Sequence, residues 1–340
     1  MTAAFRVGLA FAVILVGACE QDSRLPEHEL AGPTMGTSFS IKLVDPHESL
    51  SHVDLQQQVS NTLEHIESLA STYRSNSEIS LFNTNPSTDW INVSAEFCAM
   101  IEQALEISRR TDGAFDITVG PLVNLWGFGP GKTIGQPPTP EEVNAALSRV
   151  GYERLHTDCL APAVRKDRGD LYVDVSGWAK GYAVDELATL LDDHELADYL
   201  VEIGGEMRVR GHNADNLDWA VAIEAPIDSM RAPQTILRLT DRGIATSGDY
   251  RIYFEHEGSR YSHTIDARSG WPVSHALAAV TVIDQSAAFA DGMATALLVL
   301  GPDAGPALAE QMGIAGYFLV RGQTAIEEST TPSFEALRKQ

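Results

Sequence analysis

Residues 288–300 read AFADGMATALLVL, an almost wholly apolar stretch that carries one aspartate and one threonine. On a helix, Asp291 and Thr295 lie four residues apart and therefore share one face. A carboxylate on a buried helix is unfavourable unless it is paired or bound to a cation. Mg²⁺ takes oxygen ligands, often carboxylates completed by waters and phosphates, so this pair could help to hold it.

The same spacing has a second interpretation, in which neither residue binds a ligand. Asp291 would then stand in the first turn of the helix, where the helix dipole favours a negative charge. Thr295 would form a hydrogen bond with carbonyl groups of its own helix. The spacing by itself leaves both interpretations open.

The pattern outside this stretch predicts the fold class. Residues 37–44 alternate apolar and polar side chains, which indicates a half-buried strand, and helical periodicity runs through residues 55–69 and 95–110. Short strands follow in the second half of the chain, including residues 171–175 and a hairpin over residues 251–265. No period of about 20 to 50 residues repeats. The chain is therefore predicted to be an α+β protein with a mostly antiparallel sheet and helices packed on it.

The start of the chain resembles an export signal followed by a tether. Residues 7–18 form an uncharged run that follows a single arginine and ends in small side chains directly before Cys19. A secretory apolar region spans about 7 to 15 residues and a membrane-spanning helix about 20, so this run is too short for a permanent anchor. We expect a lipoprotein signal over residues 1–18, a lipidated Cys19 with its tether over residues 19–31, and one functional domain over residues 32–340. The alternative is an ordinary secretion signal that adjoins a cysteine.

The charge balance limits the partners of this domain. The 340 residues include 24 Lys and Arg against 47 Asp and Glu, a formal net charge of −23. Such a charge disfavours non-specific binding to nucleic acid and to anionic lipid headgroups, so no nucleic-acid partner is expected. A polyanionic ligand would need local help from a cation or from backbone amides.

The chain contains three cysteines. If Cys19 carries lipid, Cys98 and Cys159 form either one disulfide or two buried thiols. Cys98 lies on the apolar side of a predicted helix, so two buried thiols are the expectation.

Three further groups of residues could bind a ligand or accept a proton. Residues 174–181, DVSGWAKG, form a glycine-bracketed turn between a strand and a helix, where amides and Lys180 could bind an anion. His263 has an intrinsic pKa near neutrality and could accept a proton. Met35, beside a glycine, and Tyr73 would suit a flat heterocycle. The alternatives are a structural turn with a solvated lysine, a hydrogen-bonded strand histidine, and ordinary core and rim residues.

These motifs and their neighbours occur in an order that resembles one protein family. They are PTMGT at 33–37, YRSNSE at 73–78, TDGAFD at 111–116, DVSGWAKG at 174–181, GGE at 204–206, ATSGDY at 245–250 and ADGMAT at 290–295. The series is similar to that of the ApbE family, the FAD:protein FMN transferases, over roughly residues 32–320.

The resemblance implies a T-fold-like α+β architecture and an exported enzyme that binds FAD and Mg²⁺. It implies transfer of FMN from FAD to a threonine, or sometimes a serine, hydroxyl of a target protein, with release of AMP. Typical acceptors in the family are subunits of membrane electron-transfer complexes, such as sodium-pumping quinone reductases. Together with the lipidation signal, the resemblance predicts a location on the periplasmic side of the inner membrane.

The resemblance also implies roles for individual positions. It sets the flavin against Met35 and Tyr73, and it sets the metal at the carbonyl of Ala179 and the side chains of Asp291 and Thr295. Further contacts with FAD are expected at Ala114, Phe115, Asp116, Ser176 and Ile265, and Lys180, from the turn described above, is expected to add a positive charge to the cofactor site.

Three positions depart from the usual family pattern. Ala267 and Ser269 alter the loop after Asp266 without replacing a proposed ligand, so we expect a changed loop and retained activity. Ala294 stands where some relatives carry an additional acidic metal ligand, and its presence here could weaken metal affinity.

Two other functions would use nearly the same residues. A Mg²⁺-dependent FAD pyrophosphatase would pass the phosphorus to water, and a non-catalytic FAD-binding lipoprotein would not require Asp291 and Thr295. Attack by a hydroxyl needs a proton acceptor, for which His263 is the candidate and a nearby carboxylate the alternative. The sequence alone identifies neither the acceptor protein nor the oligomeric state.

Overall fold

The computed structural model describes residues 24–46, 50–130, 135–227 and 232–339. The predicted signal peptide, Cys19 and the first part of the tether lie outside these residues. The division into signal, tether and domain therefore stays a prediction.

Eight α-helices lie within the described ranges. They are α1 (His52–Ala70), α2 (Glu78–Thr84), α3 (Ala95–Arg110), α4 (Gly120–Leu125), α5 (Pro140–Leu147), α6 (Ala179–Asp193), α7 (Ala287–Gln311) and α8 (Pro332–Arg338). Local capping determines several boundaries. The Ser51 side chain accepts a hydrogen bond from the Asp54 amide at the start of α1, and Thr139 and Glu142 form a capping box at the start of α5. Gly113, with φ of +72°, follows the end of α3 in the left-handed conformation that glycine adopts readily.

Fifteen strands lie within the same described ranges. They are β1 (Glu27–Thr34), β2 (Thr37–Val44), β3 (Ile91–Asn92), β4 (Leu155–Asp158), β5 (Ala163–Lys166), β6 (Tyr199–Ile203), β7 (Glu206–Arg210), β8 (Trp219–Glu224), β9 (Pro233–Leu239), β10 (Arg242–Gly248), β11 (Tyr253–His256), β12 (Ser259–Ser262), β13 (Leu277–Asp284), β14 (Ala315–Arg321) and β15 (Ile326–Thr330). Eight of them form one sheet in the order β1-β2-β6-β7-β10-β13-β14-β15, and every neighbouring pair is antiparallel. The predicted α+β class with a mostly antiparallel sheet is confirmed.

The central strands of this sheet are covered on both faces. On β13, Val280 and Val282 belong to the apolar cluster that contains α3 and α7, whereas Ala279 and Ile283 belong to the cluster with β8, β9 and α8. Successive side chains of a strand point to opposite faces, so both sets are buried. This double cover buries the middle of the sheet and leaves the strand ends to form a site.

Helix α7 lies in the core and contains the stretch 288–300. It is the one helix among the described residues that is long and apolar enough to span a membrane, yet much of it is buried against β10, β13 and α6. Gly301 interrupts the helix with φ of +84° and ψ of −173°, and Pro302 follows it. The apolar character of α7 is therefore accounted for by burial inside the fold.

One predicted strand, residues 171–175, is wrong. The Val173 amide donates to Asn83 Oδ1 at 2.7 Å, and Asn83 Nδ2 donates to the Val173 carbonyl at 2.8 Å. A side-chain amide thus takes the place of a neighbouring strand. The helix after this segment begins at Ala179, inside the stretch 174–181 that was predicted to form a turn.

The expectation of two buried thiols is also wrong, because Cys98 and Cys159 form a disulfide with an S–S distance of 2.02 Å. Cys98 lies on α3, and Cys159 follows β4, which packs against that helix. The apolar periodicity of α3 correctly indicated that Cys98 is buried. The periodicity gave no information on the turn after β4. That turn carries Cys159, which supplies the second sulfur.

Removal of this disulfide should destabilise the domain. The two cysteines are 61 residues apart, and loop-closure entropy for such a loop predicts a loss of about 4 kcal/mol in the free energy of unfolding. We expect Cys98→Ser/Cys159→Ser to shift the urea midpoint downward without changing the folded spectrum. Thiol titration of the unreduced protein after unfolding in urea is the control, and reactive thiols at Cys98 and Cys159 there would contradict the prediction.

Candidate active site

One end of the main sheet opens into a cavity of about 990 Å³. The β1–β2 turn, the β6–β7 turn and the last residues of β10 meet at this end, as the strand register requires. The segment before α6 and the first half of α7 form another wall. All site residues predicted within the domain line the cavity, namely Met35, Tyr73, Ala114, Phe115, Asp116, Ser176, Ala179, Lys180, His263, Ile265, Asp291 and Thr295.

The start of α6 is pressed against α7. The Gly181 amide donates to Asp291 Oδ2 at 3.0 Å, and Asp291 is only 3% exposed. A Cβ at position 181 would lie 2.4 Å from the Ala287 carbonyl oxygen and 2.7 Å from Asp291 Cβ, so glycine is required for this approach. The contact brings the Ala179–Lys180 turn beside the buried carboxylate.

Asp291 and Thr295 do not play the purely helical roles that formed the alternative interpretation. The N-terminus of α7 is capped by Ser286 and by Asp185, whose oxygens accept from the Ala287 and Ala288 amides at 3.0 Å. The first turn of α7 contains no acidic residue. Both groups therefore remain available to the cavity.

Thr295 likewise forms hydrogen bonds outside its own helix. Its Oγ1 lies 2.9 Å from Ser247 Oγ and donates to the Gly177 carbonyl at 3.4 Å. The hydroxyl thus links α7 to β10 and to the turn before α6. This position is next to the segment that carries Ala179.

Three charged side chains, those of Lys180, Glu206 and Asp291, meet at the start of α6. Lys180 Nζ lies 3.0 Å from Glu206 Oε1 and 4.0 Å from Asp291 Oδ2. Burial raises the pKa of Glu206 to about 7, although Lys180 opposes this shift. Burial also raises the pKa of Asp291 above its usual value, again against the attraction of Lys180. When both carboxylates are ionised, the group carries a net negative charge.

This chemistry fits a hard divalent cation. Glu206 is 4% exposed, and its Oε2 has no hydrogen-bond partner among the described residues. The described chain contains no cluster of three His, Cys, Asp or Glu side chains that could hold a metal by themselves. A site with one carboxylate, one hydroxyl and a backbone carbonyl suits Mg²⁺, which completes its shell with waters and phosphate oxygens.

His263 lines the same cavity, and its hydrogen bond determines which ring nitrogen carries the proton. Its Nδ1 is 3.1 Å from the Ile252 carbonyl oxygen, which only accepts, so Nδ1 carries the proton and Nε2 keeps its lone pair. Burial lowers the pKa of His263 below its ordinary value of 6.5. The imidazole is therefore neutral at neutral pH and able to accept a proton.

Another part of the cavity lining is apolar, and some of it is exposed. Met35 occupies the tip of the β1–β2 turn, and Tyr73 is 68% exposed with its hydroxyl 3.4 Å from the Phe128 carbonyl. Phe115 and Ile265 add apolar surface to the lining. This wall has the shape and chemistry for a flat ring system.

Asp116 and Ser176 shape the wall through internal hydrogen bonds. Asp116 accepts from Thr118 through Oδ1 and from the Tyr152 amide through Oδ2, and burial raises its pKa. The Ser176 amide and hydroxyl both donate to Asp174 Oδ1. These polar groups hold two loops of the cavity in place.

Several polar side chains line the cavity without a role predicted from the sequence, among them Glu67, Arg74, Glu206 and Ser247. Glu206 had a usable signal, since a carboxylate directly follows two glycines at the start of a strand. Glu67 lies on α1 among other glutamates and had no such local signal. Its position in the site depends on how α1 packs beside the β1–β2 turn.

Comparison with known proteins agrees with this geometry. The sequence profile described as the ApbE family matches residues 35–318. The chain is 41% identical over 329 residues to the FAD:protein FMN transferase of Vibrio cholerae, covering 97% of each protein. It is 37% identical over 337 residues to the Escherichia coli K12 protein of that name, covering 96% of this chain and 95% of the relative.

Solved structures show the same fold. Flavin transferase ApbE from Vibrio cholerae superposes with a TM-score of 0.86 at 39% identity, covering 92% of this chain and 99% of that structure. The apo form of the Pseudomonas stutzeri flavinyl transferase ApbE gives a TM-score of 0.85 at 38% identity, covering 93% and 98%. With its profile match, its relatives and its architecture in agreement, the chain belongs to the ApbE family.

Proposed function

We propose that this protein is a Mg²⁺-dependent FAD:protein FMN transferase, which moves FMN from FAD to a threonine or serine hydroxyl of a target protein and releases AMP. The supporting observation is that one cavity joins an apolar wall at Met35 and Tyr73 to the oxygen donors of Asp291 and Thr295. Relatives that match nearly the whole chain carry the name FAD:protein FMN transferase.

The Ala179 carbonyl, the Asp291 carboxylate and the Thr295 hydroxyl would hold the metal. Bound there, Mg²⁺ would offset the charge of the diphosphate and polarise the phosphorus that is attacked. Lys180 adds a positive charge at the same end, and its pairing with Glu206 fixes the position of its ammonium group. The acidic protein thereby offers a locally favourable place for a dianion.

The reaction replaces one phosphorus–oxygen bond by another. The acceptor hydroxyl oxygen attacks the phosphorus on the FMN side of the diphosphate, and the bond to the bridging oxygen breaks. His263 Nε2 takes the hydroxyl proton, and AMP departs with the bridging oxygen. The products are FMN in phosphoester linkage to the acceptor, AMP and one proton.

We place this reaction outside the cytoplasm, on a protein anchored by lipid at Cys19. The Cys98–Cys159 disulfide supports the location, because such bonds persist in oxidising compartments. The proposed acceptors are protein subunits of membrane electron-transfer complexes. A domain over residues 32–340 on a short tether could reach them at the same membrane.

Changes at the metal positions should abolish transfer without unfolding the protein. Asp291→Asn keeps the acceptor for the Gly181 amide but removes the charge, and Thr295→Val removes the hydroxyl. We expect each to lower kcat/KM by about 100-fold or more at fixed Mg²⁺. Asp303→Asn, an exposed position on the same helix, is the matched control and should leave transfer unchanged. Normal Mg²⁺-dependent transfer by Asp291→Asn would contradict the assignment.

Replacement of His263, the proposed base, should remove the acid limb from the dependence of kcat/KM on pH. For the wild type, kcat/KM should stay level near neutrality and fall only below about pH 6.5, because burial lowers the pKa of His263 and protonation blocks proton acceptance. His263→Ala should lose about 100-fold or more in kcat, lack that acid limb and still bind FAD. His256→Ala, outside the cavity, is the control. Full activity of His263→Ala would assign the base elsewhere.

The chemistry itself is tested by following both products. The full-length protein in detergent is incubated with FAD, Mg²⁺ and a candidate acceptor subunit. We expect covalent flavin fluorescence on the acceptor, a mass gain of one FMN on a threonine or serine, and an equal amount of AMP. Free FMN with no adduct across several acceptors would indicate a pyrophosphatase, and binding with no product would indicate a carrier.

A further inference from the structure

Glu67 contacts the turn that carries Met35. On the C-terminal part of α1, its Oε1 accepts a hydrogen bond from the Met35 amide at 2.9 Å and lies 3.4 Å from Thr34 Oγ1. The glutamate is 32 residues away from Met35 in sequence, so this bond ties α1 to the tip of the β1–β2 hairpin.

The backbone of Met35 needs such a contact. Met35 has φ of +47° and Gly36 has φ of +72°, the left-handed pair that a two-residue hairpin turn requires. Glycine adopts this conformation without penalty, whereas methionine does so only when its surroundings hold it there. Glu67 supplies the acceptor that fixes the Met35 amide and hence the direction of its side chain.

The other oxygen of Glu67 connects this turn to the second predicted flavin contact. Arg74 Nη2 lies 2.5 Å from Glu67 Oε2, and Arg74 directly follows Tyr73. Arg74 also donates to both oxygens of Glu64 at 2.5 and 2.9 Å. Glu64 is largely exposed and does not touch the Met35 turn, so Glu67 is the inner member that joins the two sides.

We infer that Glu67, braced by Arg74, is a positioning residue that holds Met35 and Tyr73 as the two sides of a seat for the isoalloxazine ring. The inference rests on the proposed function, because it takes that ring as the occupant of the apolar wall. Glu67 acts through Met35 and the Arg74–Tyr73 segment and does not touch the reacting atoms. It therefore governs affinity for the flavin end of FAD.

This role separates Glu67 from the residues at the diphosphate. Asp291, Thr295 and Lys180 are held by contacts among α6, α7, β7 and β10, none of which includes Glu67. A change at Glu67 should weaken binding of FAD and FMN but leave binding of ADP, which lacks the flavin, unaltered. A general loss of folding would weaken all three ligands together.

The experiment compares Glu67→Ala with Glu64→Ala, a matched control on the same helix and the same arginine. Dissociation constants for FAD and FMN are measured by flavin fluorescence, and that for ADP by calorimetry, each with Mg²⁺. We expect Glu67→Ala to weaken FAD and FMN by about 10-fold or more and ADP by less than about 2-fold. KM for FAD should rise more than kcat falls, and Glu64→Ala should stay within about 2-fold of the wild type.

Two further variants test the inference independently of Glu67→Ala. Glu67→Gln retains an oxygen for the Met35 amide and should recover most of the FMN affinity. If Glu67→Ala does not fold, Arg74→Gln carries the test, with a smaller loss for FMN and none for ADP. Wild-type FMN affinity in the Glu67→Ala and Arg74→Gln proteins, or a parallel loss of ADP affinity, would overturn the inference.

Measurements on the wild-type protein distinguish a failure of the Glu67 inference from a failure of the proposed function. If it transfers FMN to an acceptor while the Glu67 variants bind FMN normally, only the role of Glu67 is lost. If the wild type binds neither FAD nor FMN, the proposed function fails and the inference fails with it.

Discussion

The contact between Gly181 and Asp291 is the constraint on which the rest of the cavity depends. The start of α6 can approach α7 closely only because position 181 lacks a side chain, since a Cβ there would meet the Ala287 carbonyl at 2.4 Å. The same approach places the Ala179 turn beside Asp291 and lets Thr295 reach the Gly177 carbonyl. Helix packing therefore aligns the oxygen donors before any ligand arrives, which is the preorganisation that phosphoryl transfer needs.

The charges in the cavity explain how an acidic protein could hold a diphosphate. Lys180 lies between Glu206 and Asp291, so its single positive charge is already opposed by two carboxylates. Burial of this excess negative charge is unfavourable on its own, as the raised pKa values of both acids indicate. In the proposed function, a divalent cation bound there would remove the excess and leave a positive balance for the phosphates. The same buried carboxylates whose repulsion is unfavourable would thus favour a metal-bound dianion as the occupant of the cavity.

The sequence predicted what local patterns determine and missed what distant contacts decide. Periodicity located α3 over residues 95–110, and the apolar stretch around Asp291 was correctly expected to be buried. The failed strand at residues 171–175 is apolar enough to be a strand, but its backbone is bonded by Asn83, about 90 residues earlier. The Cys98–Cys159 bond and the bond of Glu67 to the Met35 turn likewise join segments whose proximity no local pattern encodes.

The proposed diphosphate and flavin positions differ in burial, and this difference suits the proposed product, which is a protein. Asp291 is 3% exposed, whereas Tyr73 is 68% exposed. In the proposed reaction, FMN leaves attached to its acceptor, so a flavin enclosed in the interior would require the fold to open in every cycle. A seat at the rim, held by Glu67, would let the flavin withdraw with the acceptor. The buried end can then exclude water, which is the condition under which transfer to a hydroxyl prevails over hydrolysis.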